Sequence, residues 1–153
     1  MISKNELVEG IRFAGERAAA AAQYCKDWDH QLGHDWTSGD AFRHIAAVAG
    51  GLAGMYPALD AGILSNVPSA QIAASNSKAI SGLGEASRED VVSAIRQGHA
   101  ASAAFAATLD EGDLAKVVTL GGYEMPKGEI VAQIWIQHAI AHAYEASARW
   151  PIQ

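Results

Sequence analysis

The chain has 153 residues, of which 50% are hydrophobic and 18% charged, a composition typical of globular proteins that excludes a disordered chain. Its net charge is −6 and no stretch gathers Lys and Arg, so neither a nucleic-acid partner nor a membrane is expected. The length predicts a single domain over residues 1–153, and the abundance of alanine predicts that it is helical. Charged residues near the N-terminus and a single cysteine, Cys25, predict a protein that stays in the reducing cytoplasm.

Two capping boxes predict where the first two helices begin. The first helix is predicted over Lys4–Tyr24, and the second carries an apolar stripe over residues 41–55 and ends near Pro57. A polar connection that contains aromatic residues joins the two helices. The boxes are Ser3 with Glu6 and Thr37 with Asp40.

The middle of the chain predicts a loop over residues 60–69 and a shorter helix over residues 70–80 that is broken by glycines. Ser87 and Asp90 repeat the capping pattern. We expect them to open a long helix whose apolar positions continue to Leu109.

The last third of the chain begins with a helix-ending segment, residues 110–112. Residues 114–124 then predict a short extended segment or turn, because β-branched residues precede two glycines. Pro126 fits the first position of the last helix, which is predicted to run to about Arg149.

Three of the six histidines are predicted to face the core. His44 shares a helix face with Ala41 and Val48, and His138 and His142 stand one turn apart on the last helix. A single histidine on an apolar face is more often a hydrogen-bonded core residue than a ligand. Three imidazoles buried among alanines without partners would, however, be costly.

The three imidazoles predict a site for a divalent metal ion. Neutral imidazole binds zinc, nickel, copper or iron, and three protein ligands leave a position open for water or substrate, as in catalytic sites. No Glu follows His138, which excludes the zincin pattern, and no histidine has a Glu three positions before it, which excludes the ferritin pattern. Glu145, one turn beyond His142, is the candidate for an orienting catalytic carboxylate, or else an ordinary surface residue.

The sequence indicates a functional role less clearly for the other histidines, the tryptophans and the cysteine. Trp28 and Trp36 could line the mouth of a pocket or simply cover the end of the bundle. Cys25 is expected to be inert. We expect His30 and His34 to be exposed in the loop, His99 to lie in the core or at the surface, and Trp135 and Trp150 to serve packing.

Residues 36–46, Trp-Thr-Ser-Gly-Asp-Ala-Phe-Arg-His-Ile-Ala, resemble the W-T-x-x-D-x-x-x-H-(I/L)-A segment of the DinB-like superfamily, particularly its mycothiol-dependent maleylpyruvate isomerase branch. The C-terminal stretch resembles the closing helix of that superfamily. The positions that carry this second likeness are Gly122, Glu129, Ile130, Trp135, His138 and His142.

The resemblance implies a four-helix bundle in up-down-down-up order, with an open metal site at one end and a homodimeric assembly. His44, His138 and His142 match the ligand positions of the superfamily. The isomerase branch often has Glu at its second ligand, so His138 is more similar to the plain DinB-like set. Relatives are known for isomerase or thiol-transferase chemistry in which the metal activates a low-molecular-weight thiol or a water.

These observations support a metal-dependent enzyme that acts on a small molecule, as a thiol-dependent transferase or isomerase or as a hydrolase. The cofactor would be a divalent ion, zinc first with nickel or iron as alternatives, together with a low-molecular-weight thiol. The alternative is a non-catalytic helical-bundle protein of the stress response that binds a metal or another ligand. A third interpretation is a helical dimer without a metal.

Overall fold

The protein is mostly helical and has one small two-stranded sheet. Its structure is a computed structural model that describes residues 2–33 and 35–147. A π-helical segment, Gln133–Gln137, joins the last two helices, and two strands form an antiparallel hairpin. The α-helices are α1 (Lys4–Tyr24), α2 (Ser38–Ala49), α3 (Leu52–Asp60), α4 (Ser69–Gly82), α5 (Arg88–Ala107), α6 (Glu111–Leu114), α7 (Lys127–Ala132) and α8 (His138–Ser147); the strands are β1 (Val117–Leu120) and β2 (Tyr123–Pro126).

The predicted capping boxes are confirmed at the start of α1, α2 and α5. In each box the serine or threonine side chain accepts a hydrogen bond from the amide three residues later, and the acidic side chain there accepts one from the cap amide. At α2, for example, Asp40 N–H donates to Thr37 Oγ1 at 3.1 Å and Thr37 N–H donates to Asp40 Oδ2 at 3.0 Å. Local sequence therefore fixes where these helices begin.

Small residues let the main helices lie close together. Helix α1 packs against α5 and α8, and α2 packs against the same two helices. Where α5 crosses the end of α2, a Cβ atom at Gly98 would overlap the Cβ of Ala49 and lie 2.8 Å from the backbone nitrogen of Gly50. A glycine is therefore needed at this crossing.

The second predicted helix is in fact two helices, and Pro57 does not end it. The break falls at Gly50 and Gly51, and α3 continues through Pro57 to Asp60. Two consecutive glycines weaken a helix. At the break, two side chains donate hydrogen bonds to the carbonyl oxygen of Ala49. Ser102 Oγ donates at 2.6 Å and Trp135 Nε1 at 3.0 Å.

The predicted extended segment is a β-hairpin whose turn is formed by Gly121 and Gly122. Their φ angles are +57° and +86°, a conformation that glycine adopts without steric cost. The same two amides donate to the carbonyls of Leu64 and Ser65, which ties the turn to the loop before α4.

Two boundaries in the last third of the chain differ from the prediction. Helix α5 ends at Ala107, before the predicted segment 110–112, and the side chain of Asp110 instead caps the short helix α6. Pro126 ends β2 and precedes the first helical residue instead of occupying it. The predicted end of the last helix at Arg149 lies outside the described residues, within which α8 extends to Ser147.

A fully buried lysine connects three separate segments. Lys127, at the start of α7, places Nζ 2.7 Å from Asp60 Oδ1 and 2.8 Å from Asp113 Oδ2. Tyr56 donates to the same Asp113 oxygen at 2.8 Å, and its ring centroid lies 4.6 Å from the ammonium. These bonds join the end of α3, helix α6 and the start of α7.

No helix within residues 2–33 and 35–147 has both the length and the apolar character needed to cross a membrane.

Candidate metal centre

The structure brings His44, His138 and His142 together between α2 and α8. The Thr37 cap begins α2 and places His44 two turns into the helix, where it is 3% exposed. His138 is the first residue of α8, and His142 follows one turn later. The π-helical segment ends immediately before His138. Its wider turn shifts the helix face from which the two rings project, and such π-helical turns are frequent at functional sites.

The three rings meet edge to face. The Nε2 atoms of His44 and His138 are 3.0 Å apart, and one potential ligand nitrogen from each ring lies within 4.8 Å of the others. Ring centroids are separated by 4.9 Å (His44–His138), 5.1 Å (His44–His142) and 4.5 Å (His138–His142). Two nitrogens on a tetrahedral zinc ion, each at about 2.1 Å, lie roughly 3.4 Å apart, so the cluster has the dimensions of a metal site.

Glu145 lies against one of these rings. The Nδ1–H of His142 donates to Glu145 Oε2 at 3.1 Å, since a carboxylate can only accept. Both side chains are partly buried, at 20% and 27% exposure. The contact leaves Nε2 of His142 as the nitrogen available to an ion, and it is the type of outer contact that orients metal-binding histidines.

Burial keeps the imidazoles of His44 and His138 neutral. Removal from water lowers the pKa of His44 to about 4, and the positive charges that His138 and His142 could carry lower it further. Burial, followed by the potential charge on His142, likewise lowers the pKa of His138 to about 4. Neutral imidazole is the form that binds metal ions.

His44 also has an unsatisfied atom. Its Nδ1 is buried and makes no hydrogen bond to any of the described residues, while its Nε2 faces His138. One of the two facing Nε2 atoms must carry a proton if they are to attract each other without an ion. The buried Nδ1 of His44, which has no hydrogen-bond partner among the described residues, costs free energy in the protein alone.

Trp36 covers the cluster from the loop before α2. Its ring centroid lies 4.9 Å from that of His44 and 5.6 Å from that of His142. The loop is held by Leu32 N–H, which donates to the Trp36 carbonyl at 2.9 Å. Trp28 packs on Phe42 instead, with the guanidinium groups of Arg43 and Arg88 over its ring.

A cavity of about 710 Å³ adjoins the cluster, and His44 and His138 form part of its wall. The rest of the wall comes from α2, α3, α4, the loop before α4, the hairpin turn and Ile134 of the π-helical segment. The sequence analysis did not identify this cavity. No sequence motif in helix α4 or in the hairpin predicts a ligand. Only the tertiary fold places these two elements around the same cavity as the histidines.

The remaining histidines and the cysteine lie outside the cluster. His99 is a core residue whose Nδ1–H donates to the Ile95 carbonyl at 2.9 Å. His30 is half-buried in the loop rather than exposed, and His34, like Trp150, lies outside the described residues. Cys25 is buried, and burial raises the pKa of its thiol, which agrees with an inert residue.

Comparisons of the chain with protein-family models, with curated proteins and with solved structures find no match. The resemblance to the DinB-like superfamily therefore stays a prediction.

Proposed function

We propose that this protein is a metal-dependent enzyme that acts on a small molecule through a divalent ion held by His44, His138 and His142. The observation that carries the proposal is a cluster of three histidines, two of which, His44 and His138, form part of the wall of a cavity large enough for a small molecule. A cluster that only stabilised the core would not need to border such a cavity. A small rotation of the rings would bring the three nitrogens into reach of one ion.

The residues fit a zinc ion best, with nickel or iron as alternatives, because three neutral imidazoles suit these metals and leave a coordination position open. The ion, when bound, would supply Lewis-acid chemistry and lower the pKa of a thiol or water toward neutrality. Glu145 orients the ring of His142 and can accept a proton near the site. Trp36 limits access of water to His44 and His142.

The resemblance to the DinB-like superfamily supports a more specific proposal. Helices α1, α2, α5 and α8 would form a four-helix bundle in up-down-down-up order, and two copies of the chain would form a homodimer. The reaction would be that of a thiol-dependent transferase or isomerase, or of a hydrolase. The single Cys25 agrees with a reducing compartment such as the cytoplasm.

Metal content tests the site. We expect the purified protein to hold close to one divalent ion per chain by elemental analysis, and the His44→Ala variant to have lost it. His30→Ala, which removes a histidine outside the cluster, is the matched control and should keep the ion. Circular dichroism checks that both variants fold, and His142→Gln gives a second, milder test. Equal metal content in the wild type and in folded His44→Ala would exclude His44 from the site.

A cobalt-substituted protein separates catalysis from simple metal sequestration, the alternative function. An enzyme needs its open coordination position to be reachable from the cavity, whereas a sequestering site does not. We expect small thiols to change the visible absorption spectrum of the cobalt protein at millimolar concentration. A spectrum that no added thiol or competing anion alters would favour the sequestering protein.

A further inference from the structure

We propose that the cavity beside His44 and His138 binds an uncharged, largely apolar molecule that carries one polar group. This inference rests on the proposed function and deepens it, since it names the chemical class of the substrate. It concerns the 710 Å³ cavity bounded by α2, α4 and the hairpin turn, a volume in the usual range of small-molecule sites.

The lining of the cavity has no ionic partner for a charged ligand. Among the described residues that form its wall, none is Asp, Glu, Lys or Arg, although 18% of the whole chain is charged. A carboxylate or phosphate that entered would lose hydration without gaining a counterion. The cavity therefore disfavours ligands that carry a charge away from the histidines.

Most of the wall is apolar, and some of it is in contact with water. Met55, Leu64 and Leu120 line the cavity, as do Ile63 and Ile72, which are 69% and 49% exposed. An apolar ligand would remove these side chains from water and gain about 25 cal/mol for each Å² of apolar surface buried. Exposed apolar side chains gathered around one cavity are typical of binding sites.

The polar groups in the wall are neutral and of two kinds. Amide side chains of Asn66, Gln71 and Asn76 and the hydroxyl of Ser75 come from α4 and the loop before it. The imidazoles come from α2 and α8. Amides and hydroxyls can both donate to and accept from a carbonyl, amide or hydroxyl group. A single uncharged polar group on an apolar molecule would satisfy either set.

This chemistry also bears on a thiol-dependent reaction whose thiol is charged. Low-molecular-weight thiols that carry several carboxylates would find no counterions in the cavity wall. An apolar molecule with a carbonyl or hydroxyl group would fit there, with its polar group near His44 and His138. The cavity is therefore assigned to the uncharged reactant.

The test compares two ligands of equal length, 1-octanol and octanoate, by ligand-observed NMR with the full-length protein after removal of metal by a chelator. We expect octanol to bind at least about tenfold more tightly than octanoate. From 1-hexanol to 1-octanol, the Kd should fall by up to about fourfold for each added methylene. Octanoate binding as tightly as octanol, or no binding of octanol, would overturn the inference.

A pair of variants ties the binding to this cavity. Ile72→Asp places a charge in the wall at a half-exposed position, so the fold should tolerate it, and we expect octanol affinity to fall about tenfold or more. Val117→Asp alters an apolar residue of β1 that is 61% exposed and does not line the cavity, and it should bind octanol as the wild type does. Unchanged affinity in Ile72→Asp would contradict the assignment.

The two proposals fail in different ways. Metal-free protein is used for octanol binding, so that result does not depend on whether His44, His138 and His142 hold an ion. A lack of bound metal in the wild-type protein would contradict the proposed function. The present inference would be contradicted by octanoate binding as tightly as octanol, or by the absence of octanol binding.

Discussion

Glu145 determines which nitrogen of His142 can reach an ion. Because it accepts from Nδ1 at 3.1 Å, it holds the ring in the tautomer that presents Nε2. We expect Glu145→Ala to weaken metal binding by roughly 10- to 100-fold, measured by competition with a chromogenic chelator. Glu145→Gln, whose amide oxygen can still accept, should lose less.

The control for this prediction is Glu89→Ala, which removes an exposed carboxylate from the first turn of α5. It should bind metal as the wild type does. Equal affinities of Glu145→Ala and the wild type would show that the carboxylate does not orient the ring.

The buried histidines make the stability of the metal-free protein depend on pH. In the folded state the pKa values of His44 and His138 are lowered to about 4, whereas the unfolded chain binds protons near the ordinary value of 6.5. The unfolded state therefore binds more protons between these limits. We expect the free energy of unfolding to be highest above pH 6.5 and to fall as the pH is lowered from 6.5 toward 4.

Urea denaturation of chelator-treated protein at a series of pH values measures this change. His44→Phe keeps a ring at the position and removes one of the histidines whose pKa is lowered, so its stability should fall less steeply over the same range. A wild-type free energy of unfolding that does not change between pH 7 and pH 4.5 would contradict the lowered pKa values.

At the scale of secondary-structure elements, the contact of α5 with the end of α2 depends on Gly98. Alanine there would improve helix propensity by about 1 kcal/mol, but its Cβ would overlap Ala49. Overpacking of this kind typically costs about 1–3 kcal/mol, so we expect Gly98→Ala to be destabilising on balance. Gly54→Ala in α3, where a Cβ would meet nothing within 4 Å, should be neutral or stabilising. Thermal unfolding of both variants measures the difference.

The starts of the helices could be predicted from the sequence because capping is local. Thr37 and Asp40, for example, are three residues apart and hydrogen-bond each other's backbone and side chains. The faces of the histidines could be predicted for a similar reason, since His138 and His142 must share a face at a separation of four residues. The inward position of His44 followed from the apolar stripe of α2.

Features that depend on distant residues could not be predicted. The break after α2 is stabilised by Ser102 and Trp135, which lie 53 and 86 residues from Ala49. The π-helical segment before His138 has no proline or glycine to signal it. The cavity wall combines α4 with the hairpin turn, and only the fold brings the two together.

At the scale of the whole molecule, Lys127 joins segments that are up to 67 residues apart. Asp113 has two lysine partners that differ in burial: Lys127 is fully buried, whereas Lys116, 2.8 Å from the other oxygen, is 65% exposed. A hydrogen bond to a charged group typically contributes about 1.5–3 kcal/mol, whereas loss of a surface ion pair costs at most about 1 kcal/mol. Lys127→Met should therefore destabilise the protein far more than Lys116→Met.

Denaturant unfolding of the two methionine variants under the same conditions checks this prediction. The two substitutions remove the same charge and leave the same side chain, so the comparison reports the difference in burial and in number of partners between the two lysines. Equal losses of stability would mean that Lys127 does not hold the three segments together.

The candidate ligands and the outer cavity wall belong to different layers of the protein. The histidines project from α2 and α8, which are packed into the core, whereas α4 has a single buried residue, Ile80, among its fourteen. Residues such as Gln71 and Ser75 can thus be exchanged with little cost to folding or to the geometry of the histidines. Selection, natural or in the laboratory, could therefore change which molecules the cavity accepts through α4 alone while the three histidines are inherited unchanged.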